Sequence, residues 1–173
     1  MKGRNYRSPR GQPYTRLEYI HGQPAIKISK FIMGATKDAY DYRVTLISQA
    51  QIQVRHNALE AARIVANKIL TDELGETGYV IHIRVYPHIV LRENKMIATA
   101  GADRLQEGMR RAFGKPTSRA ARIKPNQEVM DIYVNENALR LAQQALDQCS
   151  KKLPMPCKMV TKRLTEIPNK IEA

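Results

Sequence analysis

The feature that most constrains the fold is a strand-like segment followed by a helix-like one, and it occurs twice. Residues 43–48 are rich in β-branched side chains, and residues 57–74 repeat apolar side chains at helical spacing. Residues 128–134 then predict a strand and residues 135–149 a helix. Residues 79–91, which Pro87 should bend or interrupt, and residues 157–161 predict further strands. The order indicates an α+β sandwich with two helices on one side of a mixed sheet.

Local signals place the ends of both helices. Asn57 and Glu60 have the spacing of a capping box, and Gly75 is a suitable terminator for the first helix. Asn135 is expected to cap the second helix, which the stretch Leu153–Pro156 should end. The two cysteines are predicted to be structural, with Cys149 on this helix and Cys157 in the last strand.

Positive charge is concentrated outside these periodic segments. The 173 residues carry a formal net charge of +13. Residues 1–43 have nine cations against three anions, and residues 92–124 have the same numbers, whereas residues 44–91 are neutral and residues 125–173 carry +1. Polyanions are the natural partners of such a surface, so nucleic acid is the favoured ligand.

Two basic modules are candidates for that interface. In residues 1–16, cations, tyrosines, prolines and glycines alternate, which favours an extended arm that neutralises phosphates and stacks on bases, although a solvated terminus would have the same composition. Residues 92–116 form a loop longer than the ~12–15 residues usual for unstructured connections. Its cations surround Phe113, and Asp103 and Glu107 are expected to form ion pairs that order it.

Other classes of function find little support. The first residues lack the apolar stretch of a secretory signal, and no apolar run approaches the ~18 residues of a membrane span, so a cytosolic protein without a membrane partner is expected. Gly108, Gly114 and Lys115 do not have phosphate-loop spacing, and Pro116 replaces the required Ser or Thr. The cysteine spacing matches no zinc site, and no catalytic constellation is apparent, so no cofactor, metal or small-molecule substrate is expected.

The loop resembles the hallmark of one ribosomal family, the large-subunit protein L-ten-e, which is the archaeal and eukaryotic branch of universal protein L-sixteen. The residues that carry the resemblance are Ala98-Thr99-Ala100-Gly101-Ala102-Asp103-Arg104-Leu105, Gly108-Met109-Arg110 and Ala112-Phe113-Gly114-Lys115-Pro116. Residues 4–7, 58–63, 85–88 and 91–96 look like further signatures, and the likeness extends to about Thr161. One departure is Thr117, where the family usually has glycine, so the turn expected after the loop is in doubt.

The resemblance implies a hammerhead-type α/β sandwich in a single domain, with a tail from residue 162. It further implies a cytoplasmic, non-enzymatic constituent of the large ribosomal subunit that binds its rRNA and neighbouring ribosomal proteins. The loop would help order the peptidyl-transferase region near A-site and P-site tRNA. The first alternative is a ribosome assembly factor that binds RNA and does not remain on the ribosome. The second is an RNA-modifying enzyme. The side chains predicted to bind RNA are Lys2, Arg4, Tyr6, Arg7, Arg10, Arg16, Arg92, Lys95, Arg104, Arg110, Arg111, Phe113, Lys115, Arg119 and Arg122, with loop glycines Gly101, Gly108 and Gly114.

Overall fold

A computed structural model describes residues 3–9, 11, 17–35, 39–95, 110 and 112–164. Its helices are α1 (Arg4–Arg7), α2 (His56–Leu74) and α3 (Leu139–Ser150), with 3-10 turns at Leu17–Tyr19 and Glu136–Ala138. Its strands are β1 (Ile32–Gly34), β2 (Tyr42–Ser48), β3 (Ile52–Arg55), β4 (Val80–Ile83), β5 (Ile89–Glu93), β6 (Lys115–Ile123), β7 (Glu128–Val134) and β8 (Cys157–Arg163). The α+β class and both predicted helices are confirmed. Because β8 extends through residue 163, the tail cannot begin at residue 162.

The described strands form two sheets rather than one. The larger has the order β1-β4-β7-β2-β8 and the smaller the order β3-β6-β5. All hydrogen-bonded neighbours are antiparallel, so the prediction of a single mixed sheet is wrong. The reason is that α2 connects β3 of the smaller sheet to β4 of the larger one. The first strand–helix–strand unit therefore never returns to its own sheet, and no parallel neighbour is needed.

Helix α2 forms where its apolar spacing predicts. Leu59, Ala62, Ala66 and Leu70 lie on one face and are fully buried. Gly75 ends the helix at a φ of 71°, and its amide donates to the carbonyl of Thr71. The predicted capping box is wrong: Arg55 occupies the N-cap, and no side chain in the described structure caps this helix end.

Helix α3 packs against α2 through small side chains. Ala142, Ala145, Leu146 and Cys149 are fully buried, and the Cys149 thiol donates to the carbonyl of Ala62 at 3.2 Å. Burial raises the pKa of Cys149 to about 12, so the thiol stays protonated at neutral pH and serves the packing, as predicted. The Asn135 side chain makes no capping bond. The 3-10 turn Glu136–Ala138 leads into the helix instead.

Residues 79–91, predicted as one strand, divide between the two sheets. Strand β4 ends at Ile83 in the larger sheet, and β5 begins at Ile89 in the smaller one. Pro87 lies between them and has no amide to donate to a ladder, so the predicted interruption is confirmed. Here the exposed ring of Tyr86 stacks on Phe31 with centroids 5.3 Å apart. The chain changes sheets at this bend and thereby places β5 beside β6.

The predicted loop is shorter than residues 92–116, because β5 runs to Glu93 and β6 begins at Lys115. Residues 96–109 and 111, including Asp103 and Glu107, lie outside the described residues. The turn expected after the loop is not formed, since β6 continues through Pro116 and Thr117. The ladder with β5 instead shifts register between Leu91 and Arg92, opposite this point.

Candidate nucleic-acid interface

The smaller sheet carries cations on the face that meets the N-terminal arm. Gln53 of β3 and Arg122 of β6 are direct ladder partners, so their side chains share a face. Arg122 donates from Nε to Gln53 Oε1 at 3.3 Å and from Nη1 to the Gly11 carbonyl at 2.7 Å. Gln53 donates from Nε2 to the Tyr6 carbonyl at 2.8 Å. These bonds hold two points of the arm against the sheet.

The arm adds an aromatic contact to this attachment. The Arg55 guanidinium lies 4.4 Å from the centroid of the Tyr6 ring, a cation–π geometry. Residues 4–7 form one helical turn, with the amides of Tyr6 and Arg7 both 3.3 Å from the Gly3 carbonyl. The prediction of an extended arm is wrong for this stretch, because the prolines that oppose a helix begin only at position 9.

A second cation–aromatic pair marks the base of the loop. The Arg92 guanidinium lies 3.7 Å from the centroid of the Phe113 ring, and its Nη1 donates to the Phe113 carbonyl at 2.9 Å. The ring is 61% exposed, so one face remains available to a partner. Lys95, Arg110 and Lys115 are exposed in the same part of the chain. Exposed charge and an exposed ring thus lie next to the ends of β5 and β6, where the loop begins and ends.

His56 lies at the first residue of α2, beside the smaller sheet. The Lys27 amide donates to its Nδ1 at 3.3 Å, and Ser118 Oγ lies 3.2 Å from its Nε2. Burial lowers the pKa of His56, and the positive charges of Lys27 and Arg55 lower it further. Arg119 acts in the same direction. The lowered pKa of His56 therefore reflects its burial first and the neighbouring positive charges second.

The predicted RNA-binding residues fall into three groups. Described side chains on the smaller sheet, the arm or the loop base are Tyr6, Arg7, Arg92, Lys95, Arg110, Phe113, Lys115, Arg119 and Arg122, together with Gly114. Arg4 belongs to α1, and only its backbone is described. Lys2, Arg10, Arg16, Arg104, Arg111, Gly101 and Gly108 lie outside the described residues.

Sequence reasoning missed Arg55, Gln53, Lys27 and His56. Arg55 lies in a segment of zero net charge, so a summation by segment hides it. Gln53 and Tyr6 are 47 positions apart, and only the folded backbone brings them together. The run Gln53-Val54-Arg55 could have indicated this surface. Its polar side chains flank an apolar one at strand spacing, so Gln53 and Arg55 must share a polar face.

A separate group of charges on the larger sheet is structural. Asp131 is fully buried, and its Oδ2 lies 2.9 Å from Arg43 Nη2 and 2.8 Å from Arg84 Nε. These are close ion pairs that miss the angles of hydrogen bonds. Burial alone would lower the pKa of Arg43, but Asp131 and Glu128 outweigh it and the pKa is raised. The cations here are engaged by carboxylates.

The described residues offer little for other chemistry. Among them, no three His, Cys, Asp or Glu side chains come together in a group that could hold a metal ion. No helix in the same part of the chain is long and apolar enough to cross a membrane.

Comparison with known proteins agrees with the resemblance noted in the loop. Residues 9–160 match the family described as ribosomal protein L16p/L10e. A large ribosomal subunit protein uL16 from Staphylothermus marinus is 54% identical over 154 residues, which cover 89% of this chain and 88% of the relative. The protein of the same name from Hyperthermus butylicus is 52% identical over 163 residues, covering 94% and 88%. That from Methanococcus maripaludis strain C5 is 46% identical over 164 residues, covering 95% of each chain.

The predicted family and its archaeal and eukaryotic branch are thereby confirmed, since these relatives are archaeal and match nearly the whole chain. Membership of a family of ribosomal proteins confirms the prediction that the chain is not an enzyme. The chain belongs to the ribosomal protein L16p/L10e family, whose members are structural components of the ribosome.

Proposed function

We propose that this chain is a cytoplasmic, structural constituent of the large ribosomal subunit that binds large-subunit rRNA through its arm and loop. One observation carries the proposal: the three-stranded sheet holds both basic modules. The arm is bonded to β3 and β6 through Gln53 and Arg122, and the loop starts from β5 and ends at β6. Contacts of this kind go mainly to phosphates and position a protein on folded RNA.

Within the subunit, we propose that the loop helps order the region that receives A-site tRNA and forms peptide bonds, with P-site tRNA close by. The family resemblance of residues 98–116 is the basis for this part, together with the exposed Phe113 ring that Arg92 holds at the loop base. Such a ring is suited to stacking on an unpaired base. Catalysis would remain with RNA, and neighbouring ribosomal proteins would complete the surroundings. We also propose that the chain is a single domain and that its sandwich has the hammerhead form.

The rRNA contact is tested by filter binding to a large-subunit rRNA fragment over a series of salt concentrations. If about eight cations contact phosphates, log affinity should fall with log salt with a slope of roughly six to seven. A triple variant, Lys95→Ala, Arg110→Ala and Lys115→Ala, should flatten the slope by about two to three. All three side chains are exposed, so circular dichroism should show an unchanged fold.

The matched control removes three exposed lysines elsewhere: Lys68→Ala on α2, Lys152→Ala after α3 and Lys158→Ala on β8. It makes the same change in net charge and should leave the slope almost unaltered. Equal effects of the two triple variants would mean that only total charge matters and would refute the proposed interface.

The ribosomal role is tested separately by quantifying the tagged chain in purified large subunits. A constituent is present about once per subunit, whereas an assembly factor that leaves would be found far below that and would contradict the proposal. Crosslinking from the loop to tRNA bound in the A site then tests the finer assignment. Crosslinks that avoid tRNA and the peptidyl-transferase rRNA would restrict the protein to a role elsewhere in the subunit.

A further inference from the structure

A polar cavity lies beside the first turn of α2, between that helix, the smaller sheet and the segment that contains Lys27. Its volume is about 220 Å³. This is several times the ~30 Å³ that a water molecule occupies in the liquid, so the space can take a tetrahedral oxyanion. Three cations line it, one from each of three separate segments: Lys27, Arg55 and Lys95.

The charge of the lining is unbalanced. Glu93 also lines the cavity, so the three cations and one carboxylate leave a net charge of +2. Arg55 is also held by the Tyr6 ring, whose centroid lies 4.4 Å from its guanidinium carbon. Gathering like charges around one space is unfavourable unless an anion enters it. The arrangement therefore selects for a doubly or singly charged anion.

The floor of the cavity supplies an oriented hydroxyl. His56 accepts the Lys27 amide at Nδ1, and its lowered pKa keeps the ring neutral at neutral pH. A neutral ring that accepts at Nδ1 carries its proton on Nε2, which then donates to Ser118 Oγ across 3.2 Å. Ser118 is 7% exposed and lines the cavity. Its hydroxyl proton remains available for an acceptor inside.

We propose that this cavity is a phosphate-binding pocket, and that a phosphodiester group of the bound RNA occupies it. Lys27, Arg55 and Lys95 would contact the phosphate oxygens from the rim, and Ser118 would donate from the floor. This inference rests on the proposed function for the source of the phosphate, but the pocket itself does not depend on it. Because the pocket is bounded by the arm-bound Arg55 and the loop-side Lys95, one phosphate would connect the two basic modules.

The first experiment titrates the full-length chain with inorganic phosphate at constant ionic strength, balanced with chloride, and follows amide signals by NMR. Signals of His56 and Ser118 should shift and saturate. Lys27→Met and Lys95→Met should each weaken binding about tenfold, since each removes a charge-assisted hydrogen bond. Lys68→Met, an exposed lysine on α2 away from the cavity, is the control and should leave the affinity unchanged.

Ser118→Ala should also weaken phosphate binding, and its thermal unfolding must be measured, because Ser118 is buried against His56. The two lysine variants change exposed side chains and keep the test valid if Ser118→Ala fails to fold. Shifts that do not saturate, or that respond equally to Lys27→Met and Lys68→Met, would overturn the pocket.

The second experiment identifies the source of the phosphate from the salt dependence of rRNA binding. Lys27→Met should reduce the slope by about one relative to Lys68→Met. A saturable phosphate titration with an unchanged RNA slope would overturn the RNA phosphodiester and assign the pocket to free phosphate. If the wild-type chain did not bind rRNA at all, the proposed function would fail, while the phosphate titration would still decide whether the pocket exists.

Discussion

Replacing Gly114 by Ala tests how tightly the two strands must approach at the base of the loop. Gly114 has a φ of +76°, and a Cβ atom built there lies 2.9 Å from the amide nitrogen of Asn94 and 2.9 Å from the carbonyl carbon of Glu93. Both are backbone atoms of the neighbouring chain segment, so no side-chain rotation can relieve the contact. Gly114→Ala therefore combines backbone strain with a steric clash.

The two contributions can be separated by magnitude. A residue other than glycine at such a φ costs about 1–2 kcal/mol. Forcing an extra carbon into a filled space costs typically a further ~1–3 kcal/mol. Gly114→Ala should accordingly lower the free energy of unfolding by roughly 2–5 kcal/mol. Gly22→Ala is the matched control, because Gly22 has a φ of +66° and nothing within 4 Å of the built Cβ.

Urea unfolding of both variants, followed by far-ultraviolet circular dichroism, measures the difference. Gly22→Ala should lose only the backbone contribution, about 1–2 kcal/mol. If Gly114→Ala and Gly22→Ala lost the same amount, the ends of β5 and β6 would yield freely, and the inference that glycine fixes their separation would be refuted. A larger loss for Gly114→Ala should be accompanied by weaker rRNA binding, because Arg92 and Phe113 lie at the displaced junction.

Three further outcomes follow from packing and charge. Leu59→Ala, at a fully buried position, should cost about 2–5 kcal/mol in urea unfolding, whereas Ile64→Ala on the exposed side of the same helix should stay within ~0.5 kcal/mol. Asp131→Ala should cost about 3 kcal/mol or more, because it leaves the partly buried Arg43 short of a carboxylate; a change under ~1 kcal/mol would mean that Glu128 alone suffices. The unfolded chain takes up a proton at His56 near its ordinary pKa of 6.5 while the folded chain resists it, so the free energy of unfolding should fall as the pH drops below 6.5. His56→Gln should show a smaller fall over this range, and an identical pH profile would contradict the assignment.

Elements that depend on local spacing could be predicted from the sequence. The apolar repeat of α2 and the Gly75 terminator suffice to place that helix, because each acts within a few residues. The capping box failed because the helix begins at His56, which places Asn57 inside the helix rather than at its N-cap. Glu60 instead accepts hydrogen bonds from Arg63 and from Ser29, which is 31 positions away in the sequence. Likewise, an apolar run such as residues 79–91 suits either sheet, and only packing decides which one each half joins.

The candidate interface was predictable in outline and not in detail. Clusters of Arg and Lys identify the arm and the loop, but the bond from Arg122 to the Gly11 carbonyl joins residues 111 positions apart. The cavity beside α2 was equally unpredictable from the sequence, because its cations come from three segments with no shared motif. Neutral segments can therefore contribute decisive charges, as Arg55 does.

Strand β8 has a consequence for the protein before it meets any partner. It is an edge strand of the larger sheet, with β1 at the opposite edge of the described strands, and it pairs with β2 along its full length. The backbone of an outermost strand can recruit strands from other molecules, which leads to aggregation. Lys158, Lys162 and Arg163 are exposed on β8 and repel a second copy of this basic chain. The same positive charge that favours binding to a polyanion therefore also opposes aggregation of newly made copies before they bind one.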